Sequence, residues 1–427
     1  MAPPPSRLVT RAAWSLAADP NPSGHDVLAI GSRIVAFAAG GRMCGFDEST
    51  GVRRWCAGAG SGPAYAGGEV AFVEADGTVR AVGARAGENR WRHRFRGASR
   101  SAFTDPPPPN WPVSQVVWAA GDDFLTARMD GAGGHDAPNL GEIDRAGRIV
   151  WQTTVAESLN KPAIVPPYAL IQSSASGARM VFFVSALRLG RGGGVIGTIS
   201  DASTIADLRP PLAVVAGVTS MRDVSDYFLT YDVWLADVRR GEAVSHIFHF
   251  EPDFDANYDL YQHRNDLWVQ ANGKGRVAAE GDYVYVTVLQ HVYRYRLADG
   301  ETQRPLLLSA RGWFVLGPYR GTVYVQRDDG VWALRAGERD VHARLVAPSK
   351  SALKASAIIG RVAYFAFEDG LVRGVDTGDG RMVLDAAVPG GAFGIGSSAA
   401  HVFFACGSAN AAAGTWHVAA FPRPDAT

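Results

Sequence analysis

One pattern that recurs along the chain limits its possible folds more than any other feature. Residues 43–58 read MCGFDESTGVRRWCAG, and residues 70–95 read VAFVEADGTVRAVGARAGENRWRHRF. Each copy has an apolar strand, a tight turn (Asp47 to Gly51; Gly83 to Gly87) and a strand whose Trp, Trp55 or Trp91, falls four residues beyond the turn glycine. Such repetition marks one supersecondary unit that cannot bury its apolar face alone and is stacked many times.

Taken in order, the units are recognised by alternating apolar runs bounded by Gly and Asp-Gly turns. The first begins near Asp26 and ends at Trp55; the second has the Asp76-Gly77 hairpin turn and Trp91. The third has Phe124 to Met129, a loop through Gly131 and Gly134, and then Asp144, Gly147 and Trp151. The fourth is degenerate, with Val181 to Val184 and Val195 to Ile199, and Leu208 is read at its Trp position. The fifth keeps Asp237 and Gly241, with Ser245 at the Trp position. The sixth carries Tyr283 to Val288 and Val292 to Leu297, with Arg304 at the Trp position; the seventh turns at Asp329-Gly330 and places Val341 there. The eighth has Asp369-Gly370, then Asp376, Gly380 and Leu384.

The last unit offers Val402 to Ala405 and Thr415 to Phe421 but lacks an outer strand, while Arg11 to Ala17, with Trp14, is a strand without a partner. Pairing the two removes an exposed sheet edge. The expected fold is therefore all-β, a single closed β-propeller of eight or nine four-stranded blades, closed by the N-terminal strand pairing with the C-terminal sheet. It forms one domain over 1–427, with a flexible segment at 1–10, a Pro-rich insertion at 98–115 and an acidic, aromatic insertion at 251–275.

Composition excludes some partners. Lys plus Arg and Asp plus Glu are both 42, so no net field draws nucleic acid. No run approaches the ~20 apolar residues of a membrane span. The N-terminus, MAPPPSRLVTRAAW, lacks the apolar core of a secretory signal, and a cytoplasmic location is expected. On that expectation Cys44, Cys56 and Cys406 are reduced thiols, although Cys44 and Cys56 flank one hairpin.

The spacing in GFDESTGVRRW, small-x-Asp, three residues, Gly, three residues, Trp, resembles the repeat of pyrroloquinoline-quinone (PQQ)-type propellers, which are WD40-like in architecture. The resemblance is strong at Asp47, Gly51, Trp55, at Gly87, Trp91, at Asp144, Gly147, Trp151 and at Asp376, Gly380, and Trp14, Asp237 and Gly241 are read as further structural repeat positions. It fades between about Lys161 and Gln270. In that family these positions are structural: Trp docks on the neighbouring blade and the turn residues shape the hairpin. The family contains quinoprotein dehydrogenases and cofactor-free relatives, among them an outer-membrane assembly lipoprotein. The dehydrogenases carry adjacent cysteines over the quinone, and no two cysteines are adjacent here, so the resemblance implies the non-catalytic members and no PQQ.

Other residues are candidates for binding. Asp253, Asp255, Asn257 and Asp259 alternate, as a loop wrapping Ca²⁺ would need, although Tyr258 and Arg264 break the EF-hand pattern. His246 and His249 lie three apart in a strand, which sets them on opposite faces and makes them poor joint ligands. The Gly190 to Gly197 run lacks the Lys-Ser/Thr of a phosphate loop and reads as a hairpin loop. Trp111, Phe254, Tyr258, Tyr261, His263, Arg264 and Trp268 sit in insertions and form a candidate protein-binding set. Arg53, Arg54, Arg90, Arg92, Arg94 and Arg96 make basic strands suited to an acidic partner or to solvent. The expected function is a non-catalytic scaffold for protein–protein interaction within a multiprotein assembly. The alternatives are an enzyme with its site in a central funnel, either a quinone-dependent oxidoreductase or a hydrolase or lyase, and a small-ligand sensor.

Overall fold

The computed structural model describes residues 8–19, 27–94, 115–128, 139–155, 158–159, 162–175, 181–200, 202, 204–221, 229–250, 277–288, 291–297, 306–309, 313–336, 341–407 and 416–425. Among the described residues all elements are strands, gathered into nine sheets. The first eight draw on residues 29–56, 61–93, 115–153, 158–200, 204–250, 277–309, 313–348 and 353–387 in turn. Each has its strands side by side in chain order. The fourth counts five strands because its first is split into Ser158–Leu159 and Ala163–Val165, both paired with Tyr168–Ala175.

The ninth sheet breaks the rule in the expected way. Its order is Trp14–Ala18, Trp416–Pro422, His401–Gly407, Gly391–Ser397, so the first strand of the chain completes the last sheet. Trp14 pairs with Ala420 and Ala18 with Trp416, antiparallel. Val9, just upstream, bridges to Leu384 of the eighth sheet through Val9 N–H to Val383 O (2.9 Å) and Asp385 N–H to Val9 O (3.0 Å). These nine four-stranded blades, joined by exchange of the terminal strand, are a β-propeller.

The described residues divide into two compact units. One comprises Met1–Thr154 with Val346–Thr427 and the other Val155–Leu345. In each, the core lies between consecutive sheets. In the first unit, Ala36, Met43 and Trp55 of sheet one pack with Val70, Phe72 and Val82 of sheet two. Trp91 of sheet two then packs with Phe124 and Ile143 of sheet three. In the second unit, Val214, Val233 and Ile247 of sheet five pack with Val284, Val286 and Tyr295 of sheet six. An inner strand is covered on both sides, so it reads as an unbroken apolar run: Val362–Phe367 is wholly buried.

A bulge in the outer hairpin recurs from sheet to sheet. The register shifts between Gly45 and Phe46, Ala81 and Val82, Glu142 and Ile143, Ala186 and Leu187, Leu235 and Ala236, and Gly374 and Val375. The residues opposite the first member of each pair are Trp55, Trp91, Trp151, Gly197, Ser245 and Leu384. This series corrects the reading of the fourth unit. Leu208 belongs to the first strand of sheet five, Thr204–Arg209, and the Trp position of sheet four is Gly197. The run from Gly190 hides the turn: it bends before Gly194, where the outer strand Gly194–Ser200 begins. Gly197 lies against Gly241 of the next sheet, where a Cβ would come within 2.4 Å of the Gly197 Cα. Sheet four thus brings backbone, in place of an indole, against its neighbour's turn.

Candidate functional site

The repeat residues form a docking contact made three times over. Trp14 faces Gly51, Trp55 faces Gly87 and Trp91 faces Gly147, each Trp on one sheet and each glycine in the outer turn of the next. The three glycines have φ of 69°, 71° and 77°, the left-handed region that a side chain disfavours. The indole N–H groups are satisfied: Trp14 Nε1 donates to Glu48 O (3.0 Å), Trp55 Nε1 to Ala84 O (2.7 Å) and Trp91 Nε1 to Glu69 Oε2 (3.0 Å). Trp151 donates to Glu142 within its own sheet. Burial pushes the Glu69 carboxyl above its ordinary pKa, and the bond from Trp91 opposes this.

The Asp of the repeat ties the same turn from within. Asp47 Oδ1 accepts from Ser49 N–H (3.1 Å) and Thr50 N–H (3.1 Å), and Oδ2 accepts from Arg54 (2.8 Å). Asp144 accepts from Ala146 N–H and Arg148 N–H, both 2.9 Å, and Asp376 from Gly378 N–H (2.9 Å). Asp237 accepts from Arg239 through its backbone N–H (2.9 Å) and its guanidinium, and the guanidinium holds the Asp237 pKa at about 2. Gly51, Gly241 and Gly380 each donate their N–H to the carbonyl of the Asp four residues before, at 2.8–2.9 Å. Asp47, Asp144, Asp237 and Asp376 thus tie their turns, while Trp14, Trp55 and Trp91 dock on the turn glycine of the next sheet.

Two expectations are corrected by register. Cys44 and Cys56 are direct cross-strand partners with Cα atoms 4.1 Å apart, and they form a disulfide rather than reduced thiols. The bulge after Gly45 is what brings them opposite one another. Cys406 remains a buried thiol, its pKa pushed up by burial to about 12. His246 and His249 do share a face. The register of Leu229–Asp237 with Glu242–Phe250 pairs Trp234 with His246, Val233 with Phe248 and Asp232 with His249, leaving Ile247 as an extra residue. That second bulge resets the alternation. His246 Nε2 and His249 Nδ1 then both meet Asp232 Oδ1, at 2.6 and 2.7 Å.

The basic outer strands are exposed at Arg53, Arg54, Arg90 and Arg92, as is Arg94 just beyond the second. Arg54 pairs with Asp47, Arg90 with Glu88 and Arg92 with Glu74. A shallow pocket in the first unit is lined in part by Asp19, Phe37, Pro63, Phe393, Trp416 and His417. The Asp19 carboxylate there accepts from Gly40 N–H (3.0 Å) and Gly41 N–H (2.7 Å), a turn-holding role. Asp253, Asp255, Asn257 and Asp259, together with Trp111, Phe254, Tyr258, Tyr261, His263, Arg264 and Trp268, lie outside the described residues, as do Arg96 and Arg304.

Nine blades, with the Trp of one sheet docked on the turn glycine of the next, define a β-propeller. Residues 10–106 match the model of the family described as outer membrane protein assembly factor BamB. No curated protein matches the sequence. Among solved structures, the chain is similar to BamB from Moraxella catarrhalis, with 13% identity, 97% of this chain and 100% of that one covered, and a TM-score of 0.49. It is also similar to the computationally designed Ika8 protein, with 14% identity, 97% and 98% covered and a TM-score of 0.50. A third is Sqt1 of Saccharomyces cerevisiae, with 8% identity, 85% and 95% covered and a TM-score of 0.49.

Proposed function

We propose that this chain is a non-catalytic β-propeller scaffold that binds protein partners as a subunit of a multiprotein assembly. The observation that carries this reading is the match of residues 10–106 to an assembly-factor family, over the sheets where the repeat is most regular. The geometry supports rigid display. Docked Trp residues and tied turns fix the outer strands of the first two sheets, so little ordering cost remains for a partner to meet. Those strands and the residue after the second present Arg53, Arg54, Arg90, Arg92 and Arg94, three of them already held in ion pairs, and a carboxylate-rich partner suits them. The Cys44–Cys56 bridge favours an oxidising compartment, so the proposed location moves away from the cytoplasm expected from sequence.

The test is affinity capture from the native host with the tagged full chain, beside an Arg53→Glu/Arg94→Glu variant. The expected result is one reproducible set of partner proteins with the wild type, depleted with the variant. A monodisperse monomer that recovers no reproducible partner overturns the reading.

A further inference from the structure

We propose that Asp232, His246 and His249 form a binding site for one divalent transition-metal ion of the zinc type, on the outer hairpin of sheet five. Among the described residues these three offer ligand atoms that all lie within 4.8 Å of one another. The site is separate from the alternating acidic loop of the sequence and depends on different donors.

Four observations support it. First, both imidazoles aim a ring nitrogen at the same carboxylate oxygen, at 2.6 and 2.7 Å. Three donors about 2.0–2.2 Å from a tetrahedral Zn²⁺ stand roughly 3.3 Å apart, so loading asks each nitrogen to retreat by well under ~1 Å. Second, the Asp232 side chain is only 4% exposed, so its carboxylate is a buried donor held in place beneath both imidazoles. Third, the ligands are positioned. His246 stacks on Trp234 with ring centroids 5.9 Å apart and packs edge-on to His249 at 5.8 Å. Trp234 itself packs with the sheet four and sheet five core, so the ring that orients His246 is anchored. Fourth, the extra residue Ile247 is what unites the two histidines, and its side chain is buried against sheet six. Bulges of this kind re-aim side chains.

The donor set selects the ion. Two imidazoles and one carboxylate suit Zn²⁺, and also Cu²⁺, Ni²⁺ or Fe²⁺, whereas Ca²⁺ and Mg²⁺ take oxygen ligands. The His249 side chain is 44% exposed, which gives the ion an entry path and leaves the fourth position to water or to a donor from a bound molecule.

The experiment uses the full chain stripped with EDTA and dialysed against Zn²⁺ alone, with metal counted by mass spectrometry, alongside His249→Ala and His246→Ala/His249→Ala. Wild type is expected to take up one Zn²⁺ per chain above any shared background. His249→Ala should lose affinity on the order of 100-fold, and the double variant should lose the stoichiometric ion. Co²⁺ supplies a second readout: the intense visible absorption of a tetrahedral site appears in wild type and disappears in His249→Ala, whose folding is checked by metal-free circular dichroism. Absence of stoichiometric uptake by the wild type, or uptake unchanged in His249→Ala, overturns the proposal.

Discussion

Trp55 packs against Gly87, so close that a Cβ on the glycine would stand 2.6 Å from the indole Cγ. The contact joins two sheets that have no strand in common, and it is repeated by Trp14 with Gly51 and by Trp91 with Gly147. Each glycine does two things: it adopts a positive φ that closes its own turn, and it leaves room for the previous sheet's Trp. The spacing of Asp, Gly and Trp in the sequence is therefore the spacing of one intersheet joint.

Substitution separates those two roles. Gly41 has φ of 74° with nothing within 4 Å of its absent Cβ, so Gly41→Ala meets only backbone strain and should cost about 1 kcal/mol. Gly87→Ala meets strain and the indole together and should cost about 2–4 kcal/mol. Trp55→Ala, which empties the joint, should cost about 3–5 kcal/mol. Urea melts of the three variants check the order; equal losses at Gly41 and Gly87 would show that the contact contributes nothing.

The terminal exchange makes a separate prediction. Trp14–Ala18 covers one edge of Trp416–Pro422, and Trp14 packs near Phe403 with ring centroids 5.9 Å apart. Deleting residues 1–18 leaves that edge open to another chain, so the truncated protein should melt at lower temperature and aggregate. A synthetic peptide of residues 8–19 added in trans should restore both, by donating the missing strand. Truncation with no change in melting would remove the exchanged strand from any account of stability.

Much of this was legible before any coordinates, for a physical reason. Turn glycines and docking Trp residues are fixed by local sterics, so Asp47, Gly51 and Trp55 announce their roles by spacing alone. Sheet four escaped because its joint uses Gly197, and a glycine at a Trp position carries no signal in a run already rich in glycine. The pairing of His246 with His249 escaped because a bulge is an event between two strands: Ile247 looks like any apolar residue of its own strand. The cysteines failed on a broader ground, since a compartment inferred from the N-terminus outweighed the hairpin that sets them opposite.

Acid should loosen the fifth sheet's turn through Asp237. Its carboxyl, bonded first by the Arg239 side chain, titrates at about 2 against an ordinary 3.8. A depressed folded-state value means the contribution to stability is present above pH ~4 and is lost as pH falls through about 2. Arg239→Gln should move the Asp237 pKa back towards its ordinary value, read by carbon-detected NMR of the side-chain carboxyl. High salt should have a similar but weaker effect, because the Arg239 side chain is exposed at 58% while the Asp237 side chain is only 9% exposed. An unchanged Asp237 pKa in Arg239→Gln would assign the shift to the backbone bonds of the turn instead.

The three cysteines should separate in a thiol count. With Cys44 and Cys56 bridged and Cys406 buried, the native protein should react with no equivalent of iodoacetamide. Burial raises the Cys406 thiol to about 12, so at pH 8 the reactive thiolate is scarce as well as covered. Denaturation without reductant should release one reactive thiol, and denaturation with reductant should release three. Cys44→Ser/Cys56→Ser removes a cross-link between residues 12 apart and should lower stability by roughly 3 kcal/mol, the value expected for a short closed loop. Three thiols released by denaturant alone would mean that the bridge does not form in the purified protein, and the argument for an oxidising compartment would go with it.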